Sequence, residues 1–446
     1  MFPQVCDAMD TIAPEIHVSE SRCYTEASAC RICGNTHLVR ILHLGDQALT
    51  GVFPRTPDER VVSGPVELVR CDTAHQGCGL VQLRQSYDPG MMYGDNYGYR
   101  SGLNQSMVRH LQHRASTALA IAQPEPGDLI LDIGSNDSTT LRSYPADRYQ
   151  LVGMDPTGVK FARYYPPHVA LIPDFFNPQA FRSKFPGRKA RIVTSFAMFY
   201  DLEDPQAFMR GVAEVLHPEG IWVFEQSYLP SMLSQLAYDT ICHEHLEYYA
   251  LKQIEYMARR NGLRIVDVEL NDTNGGSFCV TVAHQGSKHA ANERAIEALR
   301  RSEEELELDS APIYDSFRQR VEQHRDEFRR WVREETTAGK SIFGYGASTK
   351  GNVLLQYCDF TADDIRAIAE VNEEKFGRCT PRTHIPIQSE ADVRTQHPDY
   401  LLVLPWHFRT GIVKREQAYL AAGGKLVFPL PHLDVVAGDA ALQATV

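Results

Sequence analysis

No apolar run in these 446 residues approaches the roughly 20 residues that span a bilayer as a helix. A membrane-spanning helix is therefore not expected. Residues 1–20 carry acids and no apolar core, so they do not read as a secretory signal. Excess positive charge is also missing. The net charge is −12, which argues against a nucleic-acid partner, because phosphate binding rests on Lys and Arg. There is no Gly-x-Gly-x-x-Gly, so dinucleotide binding is disfavoured, and no His-Glu-x-x-His, so a zinc-protease helix is excluded. No internal repeat and no low-complexity tract is found. These absences leave a cytoplasmic globular protein as the expectation. Its ten cysteines would be reduced, so close pairs read first as metal ligands.

What is present is an alternation of strand and helix signals. Strand-like runs cover Leu129 to Ile133, Gln150 to Met154, Val169 to Ile172, Arg191 to Phe196 and Ile221 to Glu225. A hairpin-like pair follows, Leu263 to Leu270 and Ser277 to His284. This is the order of a seven-stranded, Rossmann-like methyltransferase sheet, a doubly wound α/β fold that binds ligands at the carboxyl ends of its strands. A second alternating region holds Ser341 to Tyr345, Ile365 to Glu370, Tyr400 to Pro405 and Lys425 to Pro429. The expected organisation is an irregular segment 1–26, a zinc-binding domain 27–90, a methyltransferase domain 91–287, a helical connector 288–338 and a C-terminal Rossmann-like α/β domain 339–446. The connector is charged and reads as a solvated bridge, with helices over Ala291 to Leu308 and Tyr314 to Glu335. An amphipathic helix is expected from near Leu103.

Cys30 and Cys33 have the spacing of a zinc knuckle, and Cys71 with Cys78 can complete a tetrahedron. Six residues separate the second pair, and His75 within them is a possible substitute ligand. With no open position the role would be structural.

Three strand ends suit S-adenosylmethionine. Asp132, Gly134, Ser135, Asn136 and Asp137 follow the first strand, where glycine lets the backbone approach a ligand and polar groups can meet an amino-acid tail. Asp155 and Pro156 follow the second, where an acid commonly takes ribose hydroxyls. Asp174 and Phe175 follow the third and could hold an adenine. Ser195, ending the fourth strand, joins this set. After the fifth comes His243-Glu244-His245. Histidine can hold or release a proton near neutral pH, so this cluster reads as catalytic. In the last region, Gly344 to Asn352 suits a phosphate-bearing ligand at a helix N-terminus. It is not a Walker A sequence. Tyr345, Lys350 and Asn352 from this loop, with His407 after a later strand, are candidate substrate contacts.

Together with Gly79 to Leu83, Tyr97 to Gly102 and Asn274 to Ser277, these motifs make the chain resemble the sugar C-methyltransferase family of deoxysugar biosynthesis. The resemblance runs from about Cys30 to about Pro431. It implies a zinc domain lying as a lid over the site and a C-terminal domain helping to hold the nucleotide diphosphate. It implies nucleotide-linked keto-deoxysugar substrates and methylation of an enolate, most commonly at C-3 of a 4-keto-6-deoxy sugar. The partner is then that nucleotide sugar, with no nucleic acid or membrane, and the protein a monomer or weak homo-oligomer. Carried over, catalytic roles fall on Tyr97 or Tyr99, Glu244 and His245. His245 would be the base, oriented by Glu244, with His243 or a tyrosine at the enolate oxygen. Asn274 joins the substrate set. Three positions depart from the family pattern. Cys242 stands in place of a tyrosine, Ser138 in place of a glycine after Asn-Asp, and Arg382 in place of the glycine of a Thr-Pro-Gly-Thr-like motif.

Overall fold

A computed structural model describes residues 23–92 and 99–438. Expectations for Tyr97 and most of the N-terminal segment lie outside these residues. No helix among those described is long and apolar enough to cross a membrane.

The central sheet has seven strands in the order Leu263–Asn271, Ser277–His284, Leu216–Ser227, Ala190–Phe196, Leu129–Ile133, Gln150–Met154, Val169–Ile172. Its parallel strands carry near-continuous apolar runs because helices cover both faces. Every residue of Leu129–Ile133 is buried. The strand expected at Ile221 begins at Leu216, and a register shift before Ile221 absorbs the extra residues. Strand order reverses between Leu129–Ile133 and Ala190–Phe196, so the ligand crevice lies at their carboxyl ends.

A four-stranded antiparallel sheet carries the cysteines. It comprises Leu38–Ala48, Ser63–Cys71, Val81–Leu83 and an edge strand from far along the chain, Glu247–Tyr248. The segment read as irregular up to residue 26 ends in a strand, Tyr24–Glu26, paired with Gln85–Tyr87. The C-terminal sheet has six strands, ordered Ile387–Ser389, Ile368–Glu370, Ile342–Tyr345, Tyr400–Val403, Lys425–Phe428, Asp434–Val436. The first and last of these escaped the sequence reading, being only three residues long.

The solvated bridge is a second correction. Helix Ala311–Thr337 buries Tyr314, Phe317, Val321, His324, Phe328 and Val332. These recur every three or four residues, the spacing of one helical face. High charge on the other faces masked the stripe. That face joins an apolar cluster holding Leu42 and Val66 of the cysteine sheet, Leu233 and Tyr238 of the central region, and Tyr345 and Phe428 of the last sheet. One core therefore joins the cysteine sheet, the C-terminal sheet and the segment that follows the fifth strand of the central sheet.

Ser138 and Arg382 have φ of 66° and 64°. Both departures from the family pattern thus occupy left-handed backbone, where Cβ crowds the following carbonyl at a cost of about 1 kcal/mol. Ser138 is also fully buried with its hydroxyl unpartnered. Ser138→Gly and Arg382→Gly are each expected to raise Tm by a few degrees in calorimetry. An unchanged or lower Tm in both would mean that the strain is already relieved.

Candidate functional site

The four cysteine sulfurs lie within 4.8 Å of one another. Cys30 and Cys78 approach to 3.5 Å, as do Cys33 and Cys71. A tetrahedral zinc with bonds of about 2.3 Å has S–S edges of about 3.8 Å, so the cluster fits that ion. The long spacing of the second pair is absorbed locally. Asp72 caps the turn Thr73–His75, and its carbonyl accepts from Gly77 N–H at 2.9 Å. A Cβ on Gly77 would lie 2.5 Å from Cys71 Sγ, so that position requires glycine. His75 is not drawn in. Its Nδ1 meets Asp72 at 2.7 Å and its ring stacks on His37.

The cofactor loop is built from strand ends. Gly134 adopts φ 71° and donates its N–H to the Met154 carbonyl, bending the chain after Ile133. The Asp155 carboxylate accepts from Asn136 N–H at 2.7 Å and from Thr157 N–H at 2.6 Å. Asp132 is buried under the loop and accepts from Thr194 Oγ1 at 2.5 Å, and burial pushes its carboxyl up to about 7. Ser135 Oγ shares a hydrogen bond with the Tyr165 hydroxyl. Asn136 and Asp137 turn their side chains toward the preceding connector: Ser101 N–H donates to Asn136 and Gly102 N–H to Asp137, both at 3.0 Å. Asn136 in turn donates to the Tyr99 carbonyl. A Cβ on Gly102 would fall 2.6 Å from Asp137, which explains the glycine. Beside the crevice, Phe175 and Val159 leave large apolar surfaces exposed, and Asp174 is exposed next to Phe175. An adenine ring fits such a border. Pro156 follows Asp155 at the same strand end. Ser195 is different: it is fully buried and its Oγ accepts from Trp222 Nε1, so it faces the core rather than the crevice.

The three residues of His243-Glu244-His245 point to three places. His245 stacks edge-on against Tyr200, with ring centroids 4.3 Å apart. Its Nδ1 lies 2.8 Å from the Thr240 carbonyl. A carbonyl only accepts, so Nδ1 carries the proton and Nε2 holds the lone pair. Burial, with the positive charge of Lys350, lowers its pKa to about 3. Glu244 does not orient this ring, contrary to expectation. Its carboxylate accepts from Thr50 Oγ1 at 3.2 Å and sits where a Cβ on Gly51 would go. Burial raises its pKa. His243 leads away from the crevice. It is fully buried, its Nε2 meets the Gln47 carbonyl at 3.1 Å, and Tyr87 packs against its ring. It is a core histidine, and the reading of it beside an enolate oxygen is withdrawn on this geometry.

The C-terminal loop reaches the same place. Lys350 Nζ donates to the Asn274 carbonyl at 2.9 Å, and its charge depresses both His245 and His407. Asn274 lies in a turn at φ 55°, and Gly275 next to it packs on Trp406. Trp406 Nε1 donates to Asp239 at 2.8 Å. His407, pushed down to about 3 mainly by burial, lines a cleft of about 500 Å³ with Asp272, Gly276, Trp406, Arg409 and His432. Asn352 and Tyr345, expected at the substrate, are turned elsewhere. Asn352 is buried and donates to the Thr50 carbonyl at 2.7 Å, and the Tyr345 hydroxyl donates to Glu416 at 2.9 Å.

Met198, Tyr200, Thr240 and Thr50 were missed by sequence reasoning. Met198 touches the position of a Gly134 Cβ, and Leu246 N–H donates to the Tyr200 carbonyl at 2.7 Å. The loop after Phe196 thus joins the cofactor loop to the histidine. Only its place after a parallel strand could have signalled it.

Three family models match the chain in succession. A zinc binding domain covers residues 30–93, a methyltransferase domain 107–268, and a C-methyltransferase C-terminal domain 272–431. In their order these matches give the chain the three-part build of a zinc-containing C-methyltransferase. It is 29% identical over 423 residues to C-methyltransferase NovU of Streptomyces niveus, a match covering 93% of this chain and 98% of the relative. Among solved structures, magnesium protoporphyrin IX methyltransferase from Synechocystis is 15% identical over 43% of this chain and 88% of its own, with TM-score 0.32. DesVI of Streptomyces venezuelae is 17% identical over 40% and 93%, with TM-score 0.30. Such scores carry no further argument. The C-methyltransferase uses S-adenosylmethionine as methyl donor, and its four-cysteine cluster fits a structural zinc.

Proposed function

We propose that this C-methyltransferase acts on a nucleotide-diphospho-4-keto-6-deoxysugar, removing the proton on C-3 and methylating the resulting enolate. The observation that carries the reading is the fixed tautomer of His245. An acceptor carbonyl on Nδ1 leaves Nε2 as a neutral base beside a cation, Lys350, and a neutral base is what removal of a carbon-bound proton next to a ketone needs. Methyl transfer to oxygen or nitrogen also releases a proton, but those atoms already carry a lone pair that can attack, whereas carbon gains one only by losing its proton.

Each residue then has a task. His245 Nε2 takes the proton and Thr240 stabilises the imidazolium through Nδ1–H. Lys350 places positive charge where negative charge develops on the sugar. Tyr99, whose carbonyl is bonded by the cofactor loop, and Tyr97, which lies outside the described residues, remain the hydroxyl candidates at the ketone. Glu244, held by Thr50, bounds the pocket. S-adenosylmethionine supplies the electrophilic methyl group. Asp155 with Pro156, Asp174 and Phe175, beside Gly134 to Asp137, would hold it, and the protein's share of that step is placement. The cleft lined by His407, Arg409 and His432 is polar, and Arg409 is the guanidinium there that could meet a nucleotide diphosphate. This reading uses units 27–90, 91–287 and 339–446 as zinc, donor and nucleotide domains, working in the cytoplasm.

The test is mass spectrometry of the zinc-loaded protein with S-adenosylmethionine and a panel of nucleotide-4-keto-6-deoxysugars in heavy water. The expected product is heavier by one methylene, and unreacted sugar recovered from the reaction carries deuterium at the acidic carbon. A methyl group on oxygen, or a methylated product that keeps the hydrogen on C-3, would overturn the proposal.

A further inference from the structure

Arg31 lies between two zinc ligands, Cys30 and Cys33, yet its side chain turns inward and is only 4% exposed. Both of its Nη atoms are hydrogen-bonded. One Nη donates to the Leu83 carbonyl at 2.6 Å, the other to Ser86 Oγ at 2.7 Å, and Nε faces Glu247 at 3.6 Å. Its backbone N–H donates to the buried Gln82 amide oxygen at 3.0 Å. Ser86 passes the contact on, donating to Glu203 at 3.0 Å.

Glu247 is the other end of this pair. It is completely buried and begins the two-residue strand that completes the cysteine sheet, opposite Gln82. His245 is two residues before it. Between them, Leu246 is held on both sides: its N–H donates to Tyr200, and its carbonyl accepts from Leu83 N–H at 2.8 Å. Burial pushes the Glu247 carboxyl well above the usual carboxylate range, and the Arg31 guanidinium is the cation that opposes this shift.

We propose that Arg31 is a positioning residue for proton removal: it transmits the geometry of the zinc knuckle through Glu247 to the His245 ring. The inference rests on His245 being the base. In this arrangement the metal does no chemistry. It fixes the knuckle, the knuckle aims the guanidinium, and the guanidinium holds Leu83, which bonds the Leu246 carbonyl, while its Nε faces Glu247 on the strand that follows the base. Arginine suits the task because its donors are rigidly spaced, whereas lysine offers a mobile point charge.

The experiment compares Arg31→Met, Arg31→Lys and Glu247→Gln with the wild-type protein. Each is assayed for zinc content, S-adenosylmethionine affinity by calorimetry, kcat and KM, and the rate of deuterium exchange into the substrate without methyl donor. About one zinc per chain and unchanged donor affinity are expected throughout. A misplacement near 1 Å costs about 100-fold in rate, so kcat and the exchange rate should both drop by about that factor in Arg31→Met with KM little altered. Arg31→Lys should recover part of the loss. Glu247→Gln retains the strand and loses the charge, and it decides the matter if Arg31→Met does not fold. Zinc-loaded Arg31→Met or Glu247→Gln exchanging and turning over within threefold of wild type would overturn the proposal, as would a loss that tracks zinc content alone. Failure of the base assignment itself would look different: His245→Ala would keep its activity whatever the Arg31 variants do.

Discussion

Replacing His245 with alanine is expected to lower turnover by about 100- to 10,000-fold, the usual contribution of a general base, while S-adenosylmethionine still binds. The donor is unaffected because its loop, Gly134 to Asp137, draws its hydrogen bonds from Asp155, Ser101 and Gly102 rather than from the histidine. The pH profile carries a second expectation. Burial and Lys350 hold His245 down to about 3, so its ring is neutral throughout the range where enzymes are assayed. A base loses activity when it is protonated, that is, as pH falls through its own pKa. No acidic limb assignable to His245 should therefore appear in kcat/KM from about pH 8 down to about pH 5. A limb near 6.5 that vanished in His245→Ala would show an ordinary, solvated histidine. Near-normal turnover in that variant would remove it from the mechanism.

Removing the metal is expected to have an effect as large by another route. A structural zinc in small finger peptides is worth about 10–16 kcal/mol, while whole domains are stable by only about 5–15 kcal/mol. Loss of the ion should thus unfold the cysteine sheet rather than loosen it. That sheet includes Glu247–Tyr248, so the segment bearing His245 goes with it. Chelated protein, or Cys71→Ser, should become protease-sensitive between residues 30 and 85 and lose methyl transfer. One face of the central sheet has its own core around Ile130, Leu151, Ile192 and Val223, free of cysteine-sheet residues, and it should still bind S-adenosylmethionine weakly. Full activity in metal-free protein would show that the cysteines pack without needing zinc.

Much of this was legible in the chain because the signals were local. Leu129 to Ile133 and Ser277 to His284 were bounded correctly, since a buried strand ended by Gly or a turn leaves a clear mark. The four cysteines converge because a knuckle needs only two short turns. What escaped depended on the tertiary fold. Nothing near Thr240 says that its carbonyl fixes a ring five residues on. Spacing placed Glu244 next to His245, but alternating backbone direction sends its carboxylate to Thr50, almost 200 residues earlier in the chain. Asn352 and Tyr345 looked like ligand contacts because they flank a phosphate-type loop. The fold spends one on a neighbouring strand end and the other on Glu416. Three-residue strands such as Ile387–Ser389 are too short for any periodicity to register.

The segment Gln47 to Gly51 has a consequence for how such proteins diversify. Gln356 grips both backbone groups of Ala48, Asn352 takes the Thr50 carbonyl, and Thr50 in turn holds Glu244. The last domain is thereby keyed to Ala48 and Thr50 of the first. A chimera that imports a foreign C-terminal half to change the accepted nucleotide would inherit a lock without its key. Recombination between relatives should succeed only when residues 47–51 and helix Thr349–Tyr357 come from the same parent.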